Sequence, residues 1–378
     1  MSAYLDNAAT TMVCPEAAQA ALHAMTEVYG NPSSTHTMGR MAAKLLKSSR
    51  GDIAKALGAS PEEIFFTSCG TESDNWAILS GAEHMRHRGR HIISSTVEHS
   101  AVLRSLELLE KRGFEVTRLA PEKDGSISVS SVLDALREDT TLISLMLVNN
   151  ETGGITDIPQ ISRALKKQGS AALLHCDAVQ GFMKIPFTVK SLGVDMLSIS
   201  GHKVHAPKGI GALYIKGGKG LDPLIVGGGQ EKGLRSGTES LPQIAAFASA
   251  VKAAYPDMNS HIEKMARLKA LAVSRLSEEI PGLVVLSGEA PHILSISMPG
   301  YRSEVLMNFL EAREIYVSKS SACKRGGRSY VLEACRHRPA VIDGAIRIGL
   351  SMYTTEDEIN SLCDGLRDAS VSLAKSVR

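Results

Sequence analysis

No C-x-x-C pair occurs among the six cysteines of this 378-residue sequence, which stand far apart at positions 14, 69, 176, 323, 335 and 363. That spacing argues against a disulfide framework and against a thiolate zinc site, and for a reducing cytoplasm in which these are free thiols. No apolar run approaches the roughly 18 residues that cross a membrane. The N-terminal MSAYLDNAATT lacks the charged-then-apolar layout of a secretory signal. Charge of one sign is lacking too: 42 Lys and Arg face 40 Asp and Glu, a net +2, and the basic residues are scattered. Nucleic acid is therefore a poor default partner, because that binding needs a concentrated basic face. No G-x-x-x-x-G-K-[ST] is present, which removes P-loop chemistry, and GGGQEKG (227–233) resembles a phosphate loop only weakly. Internal repeats and low-complexity tracts are absent.

What remains is the composition of an ordinary globular protein, 43% hydrophobic and 22% charged, too long for one compact core and suited to two domains. From about residue 60 to 215, short apolar runs alternate with helix-like segments. EIFFTS (63–68), HIISST (91–96), EVTRLA (115–120), TLISLMLVNN (141–150), ALLHCDAVQ (172–180), MLSISGHK (196–203) and GIGALYIK (209–216) read as strands. Most are near-continuous in apolar residues, the mark of strands covered on both faces of a mainly parallel sheet. Amphipathic segments such as SAVLRSLELLEKRG lie between several of them, which predicts a doubly wound α/β domain. Helical sequence runs from 239 to 281, broken at Tyr255-Pro256-Asp257, the candidate domain boundary. Beyond it, VVLSG, ILSISMPG and IYVSKSS followed by two helices read as a smaller α+β domain.

Ligands of open α/β sheets sit beyond the carboxyl ends of the strands. Four strands end there in polar residues: Asn149-Asn150-Glu151, Cys176-Asp177 with Gln180, Gly201-His202-Lys203, and Thr67-Ser68 with Gly70-Thr71 opening a helix. Each has a bland reading. Asp177 serves as a turn or cap residue, Lys203 as a solvated cation and Gly70-Thr71 as a plain N-cap, although a helix N-terminus after a buried strand is also an anion site. HMRHRGRH (84–91), at a basic helix end, reads as solvated surface rather than a metal site. Together, a lysine, an aspartate after a buried strand, an imidazole and a phosphate-sized helix N-terminus are the parts that a pyridoxal-phosphate enzyme needs.

With those residues assembled, the sequence resembles the cysteine desulfurases of iron–sulfur cluster and nitrogenase assembly, within the class V aminotransferase group. The resemblance runs through YLDNAATT (4–11), GNPSSTH (30–36), FTSCGTES (66–73), EHSAV (98–102), NNETG (149–153), HCDAVQ (175–180), SISGHKVHAPKGIGAL (198–213), RSGTE (235–239), SSAC (320–323) and IRIGLS (346–351). It implies the pyridoxal-phosphate aminotransferase fold of type I. The large domain would span 13–256, and a small domain of 1–12 and 257–378 would carry the cysteine loop. It implies further that Lys203 binds the cofactor covalently, that His99 stacks on its ring, that Asp177 pairs with the ring nitrogen and that Gln180 bonds the phenolic oxygen beside Asn150. Gly70, Thr71, Ser200 and His202 match the phosphate cradle, and Thr238 matches a phosphate ligand donated by a second subunit of a homodimer. Asn31 and Arg347 match the groups that hold the substrate carboxylate, and Cys323 the nucleophile. The resemblance thus implies that L-cysteine becomes alanine while its sulfur passes to Cys323 as a persulfide and then to an acceptor such as an iron–sulfur scaffold protein.

That role accounts for SSACKRGGRS (320–329), a cysteine in small, polar and cationic company. Small residues and glycines permit a swinging sulfur carrier, and Lys324 and Arg325 favour its thiolate. Two features depart from the family pattern. Only KRGGR separates Cys323 from SYVL, a shorter loop than housekeeping members have, and Cys69-Gly70 replaces the usual small pair. Of the other cysteines, Cys14 and Cys176 read as structural, and Cys335 as a distant candidate to pair with Cys323. Selenocysteine lyases and aminotransferases of the same fold share the lysine and aspartate. An aminotransferase has no need of the loop thiol. A non-catalytic scaffold-binding paralogue would have lost Lys203, His99 or Asp177, and all three are present.

Overall fold

The computed structural model describes residues 2–218, 220–319 and 327–375. The seven runs read as strands between residues 63 and 216 are all strands, trimmed at their polar ends. They are β2 (Ile64–Thr67), β3 (His91–Ser95), β4 (Glu115–Leu119), β5 (Thr140–Met146), β6 (Leu173–Asp177), β7 (Met196–Ser200) and β8 (Gly211–Ile215), preceded in the chain by the short β1 (Ala3–Tyr4). Across the sheet the order is β2-β8-β7-β6-β5-β3-β4, and every neighbouring pair is parallel except the two made by β8. β5, β7 and β8 are buried at every position, as strands covered on both faces must be, whereas β4 at the edge exposes Glu115 and half-buries the next three residues. One face packs Phe65, Trp76 and Ile92 with Leu106 and Leu109 of the helix Ser100–Lys111. The other packs Ile64, Ile143 and Leu197 with Phe247 of the helix Leu241–Ala254.

A second sheet lies in the C-terminal third. β9 (Val284–Val285), β10 (Ile293–Ser297), β11 (Ile315–Tyr316), β12 (Ser318–Lys319) and β13 (Ala345–Gly349) follow in the chain, and four of them form an antiparallel sheet in the order β12-β13-β10-β9. Its core joins Leu294, Ile296, Ile346 and Ile348 to Leu268 and Leu276 of the helix Met258–Glu279 and to Leu362 and Leu366 of the helix Glu356–Ser372. The helical stretch from 239 onward does break at Tyr255–Asp257, between two helices. β13, one of the two inner strands of this sheet, has no counterpart among the strands that the sequence predicts. β1 pairs with β11 in a separate two-stranded sheet, and Asp6 bridges to Gly349 at the end of β13, so the first residues lie against the small sheet before the chain crosses to the large one.

The expectation for HMRHRGRH is corrected at its last residue. His84 and His87 are exposed, but His91 opens β3 and is buried between the Thr140 and Thr117 hydroxyls, each 2.8 Å away. Two threonines from neighbouring strands satisfy both ring nitrogens, which is what lets an imidazole sit inside a sheet.

Candidate active site

Lys203 closes the turn Gly201–Lys203 directly after β7. Its Nζ donates to the carbonyls of Ala8 at 2.7 Å and Ala9 at 2.6 Å. Gln180 donates to the Ala8 carbonyl at 2.9 Å, and the Thr11 N–H to the His202 carbonyl at 2.9 Å. YLDNAATT is thus a strap that leaves the small sheet and clamps the lysine turn. Asp177 ends β6, with Oδ1 accepting from the Val179 N–H at 2.9 Å. His99 caps the helix Ser100–Lys111, and its Nδ1 accepts from the Ala101 N–H at 3.2 Å, which leaves Nε2 to carry the ring proton.

β2 reaches the same edge, and the helix Gly70–His84 opens there. A Cβ on Gly70 would stand 2.7 Å from Val179 Cγ2, so the helix N-terminus packs against the segment after β6 as only a glycine allows. Between these ends lies a cleft of about 260 Å³. Gly70, Thr71, Ser200 and His202 line one part of it, and His99, Asp177, Gln180 and Lys203 another. Asn150 and Arg347 complete the group, and Cys69, half-buried, stands at the margin.

Ten of the residues expected at the site therefore meet in one cleft. Two do not: Asn31 is exposed and accepts from the Ser33 N–H at 2.9 Å, and Thr238 is exposed beyond Gly237. Cys323 lies outside the described residues. β12 nonetheless brings the chain to Lys319, just before that loop, and ties it to the cleft, because Arg347 Nη2 donates to Ser318 Oγ at 2.8 Å and pairs with Asp6 at 3.2 Å. Arg347 Nη1 donates to the Asn150 carbonyl at 2.8 Å, while its Nε is buried without a hydrogen-bond partner among the described residues.

Burial governs the charges. It brings Lys203 down to about 8, with Arg347 adding to the effect, so a share of the amine is free near neutral pH. Burial also lowers His202 to about 4 and His175 to about 3, leaving both imidazoles neutral. The Asp177 carboxyl is raised by burial, against the pull of His99 and Lys203.

Three buried carboxyls around this cleft have no role in the sequence analysis, which names only Glu151 of them, as a polar strand end. Asp74 is raised well above the usual range by burial and by Asp177, Glu98 is raised to about 8 and Glu151 to about 7, both by burial. Asp74 and Glu151 line the cleft with Tyr330, whose hydroxyl donates to the Glu98 carbonyl at 2.6 Å. Ser329 Oγ donates to Glu151 Oε2 at 2.5 Å. Each acid lies within three residues of an assigned position, in TESD, EHS and NNE, and that adjacency is the only sequence signal they have.

Residues 3–362 match the family model for class-V aminotransferases. The chain belongs to that family. Among curated members of the family it is 41% identical to "Cysteine desulfurase 2" of Trichormus variabilis, covering 95% of this chain and 90% of that protein. It is 39% identical to "Cysteine desulfurase IscS" of Methanosarcina thermophila, over 96% and 90%. Among solved structures, a NifS-like protein superposes with a TM-score of 0.93 at 38% identity, covering 99% of this chain and all of that one. SspA in complex with cysteine superposes with a TM-score of 0.80 at 33% identity, over 94% and 100%.

The cleft suits the cofactor of such enzymes on its own chemistry. Ser200 Oγ, Asn150 Oδ1, Gln180 Oε1 and Asp74 Oδ1 are buried polar atoms with no hydrogen bond to any described group, and buried polar atoms call for one. A ring with a basic nitrogen and polar substituents, a phosphate and an aldehyde would meet them, the helix N-terminus and an amine.

Proposed function

We propose that this class-V aminotransferase family member is a pyridoxal-phosphate-dependent cysteine desulfurase. One observation carries the reading: the Lys203 amine, the Asp177 carboxyl and His99 share a cleft with the N-terminus of the helix Gly70–His84. Lys203 would hold the cofactor covalently, Asp177 its ring nitrogen and Gln180 its phenolic oxygen, with Asn150 alongside. A cationic ring nitrogen beside the buried Asp177 would favour its charged form. Gly70, Thr71, Ser200 and His202 would hold the phosphate, joined by Thr238 of a second copy, since Thr238 does not line its own chain's cleft. When bound, the cofactor supplies an electron sink for the carbon bearing the substrate amine.

The chain's own residues do the rest. Arg347 would bind the carboxylate of L-cysteine; Asn31, exposed and outside the cleft, has that role from the resemblance alone. Lys203, once free, would move the proton on the substrate carbon, and His99, whose Nδ1 accepts from the Ala101 N–H, would stack on the cofactor ring and offer its Nε2 side. The Cys323 thiolate takes the sulfur as the C–S bond breaks, so L-cysteine and one thiol become L-alanine and a persulfide. An acceptor protein then removes that sulfur, an iron–sulfur scaffold being the class expected.

The same reading puts 13–256 in a large domain, and 1–12 with 257–378 in a small one. It makes the protein a cytoplasmic homodimer, for which sedimentation at twice 40.3 kDa is the check.

The test of function is incubation with L-cysteine and a mild reductant, beside Cys323→Ser and Lys203→Ala. Alanine and sulfide released in step, and lost in both variants, are expected. Undiminished sulfide from Cys323→Ser would refute the nucleophile, and turnover with selenocysteine alone would move the protein to the selenium lyases.

A further inference from the structure

The guanidinium proposed to bind the substrate carboxylate already holds one. Arg347 Nη2 donates to Asp6 Oδ1 at 3.2 Å and to Ser318 Oγ at 2.8 Å, and Nη1 donates to the Asn150 carbonyl at 2.8 Å. A guanidinium carries five protons in a fixed plane. A carboxylate grips it with two parallel bonds along one of two edges, Nε with Nη2 or Nη1 with Nη2. Both edges include Nη2, and both Nη2 protons are taken. The buried Nε, without a hydrogen bond to any described group, offers one prong alone. A two-pronged grip on an incoming carboxylate therefore needs Asp6 or Ser318 to let go.

Asp6 is the partner placed to leave. Its bond is the longer of the two, and two anions on one guanidinium repel each other. Its side chain is 23% exposed, against 2% for Arg347. It lines an outer groove of about 430 Å³ with Glu311 and the exposed Tyr4 and Tyr316, and it is not among the residues that line the cleft, so water is at hand to receive it. Its backbone need not move, because Asp6 bridges to Gly349 and Asn7 Nδ2 donates to the Gly349 carbonyl at 2.9 Å. Ser318, by contrast, lies in β12 and is paired there with Arg347 itself. Glu151, the carboxyl that shares the cleft with Arg347, accepts from Ser329 Oγ. With the cleft empty, Asp6 also serves the fold, since a buried guanidinium without its counter-ion is left uncompensated.

We propose that Asp6 is a positioning residue for substrate binding: it holds Nη2 of Arg347 while the cleft is empty, and the substrate carboxylate takes its place, one anion exchanging for another. Arg347 stays paired throughout. L-Alanine, which keeps the same carboxylate, leaves by the reverse exchange. This rests on the proposed function, because that reading assigns Arg347 to the substrate.

Calorimetric titration of the cofactor-loaded, full-length protein with 3-mercaptopropanoate tests it. The probe has the carboxylate and thiol of cysteine without the amine, so it reports binding with no turnover. Asp6→Asn keeps an oxygen for Nη2 but gives up the charge, and a neutral acceptor is held about half as strongly as a charged one. The probe should bind this variant roughly tenfold more tightly than wild type. Asp6→Glu restores a carboxylate and should return the affinity to within about threefold of wild type. The uncharged analogue 3-mercaptopropanamide should not distinguish the three proteins. Equal or weaker binding of the probe by Asp6→Asn would overturn the proposal, because Asp6 would then be only a support for Arg347. Ser318→Ala frees the other Nη2 proton with no change of charge, and a larger gain there than in Asp6→Asn would make Ser318 the group displaced. Should Asp6→Asn fail to fold, Asp6→Ser, whose hydroxyl also accepts, makes the same change of charge. Failure of the L-cysteine assay beside a tighter probe in Asp6→Asn would sink the proposed function alone. Normal release of alanine and sulfide beside a probe blind to Asp6 would sink the exchange alone.

Discussion

Replacing Glu231 by alanine should be among the most destabilising changes outside the cleft. Glu231 is 2% exposed at its side chain and pairs with Arg50 through two bonds of 2.7 Å, while its Oε2 also accepts from the Phe66 N–H at 3.0 Å. Arg50 holds the end of β2 as well, donating to the Ile64 carbonyl at 2.7 Å and lying 4.8 Å above the Phe66 ring. Removing one partner of a buried pair costs about 3–5 kcal/mol because the other charge is left uncompensated. Arg50 keeps 15% exposure, so water relieves part of this and the expected loss is about 3 kcal/mol. The unpaired Phe66 N–H adds about 1 kcal/mol. Urea unfolding of the cofactor-free protein reads it, with Trp76 as a natural probe: it is the single tryptophan, fully buried, 5.7 Å from Phe65 on β2. Two controls separate causes. Replacing both Arg50 and Glu231 by Met should recover most of the loss, since no charge is then stranded. Glu231→Gly should cost about 1 kcal/mol less than Glu231→Ala, because Glu231 has φ of +46° and only glycine takes that conformation freely. A loss below about 1 kcal/mol, the value of an exposed pair, would refute the reasoning.

Glu98→Gln should stabilise the protein increasingly as pH rises. Burial lifts the Glu98 carboxyl from 4.5 to about 8, so its contribution to stability is complete at acid pH and is lost as pH climbs through 8. Melting temperatures of variant and wild type should be close at pH 5 and diverge by pH 8.5, and a constant offset would contradict that origin. Arg347→Lys should raise KM for L-cysteine by about tenfold or more with a smaller change in kcat, as a planar fork held by Asn150, Asp6 and Ser318 gives way to a point charge. An equal fall in kcat at unchanged KM would place Arg347 in the chemical step instead.

The order of apolar runs by itself determined the large sheet. A strand covered on both faces must be apolar nearly throughout, so β5, β7 and β8 declare themselves without any tertiary information. Their polar ends named the cleft, because a parallel sheet collects its strand ends at one edge, and Lys203, Asp177, His99 and Gly70 do meet there. β13 went unrecognised because AIRIG places a buried arginine inside a strand, a pattern that only Asp6, Ser318 and the Asn150 carbonyl make tolerable. The tertiary structure alone decided the burial of Asp74, Glu98, Glu151 and Lys184. A carboxyl or an amine loses water only where several segments close over it, and no one of those segments records the closure. For the same reason sequence marked His91 as solvated, when two threonines from other strands had taken the place of water.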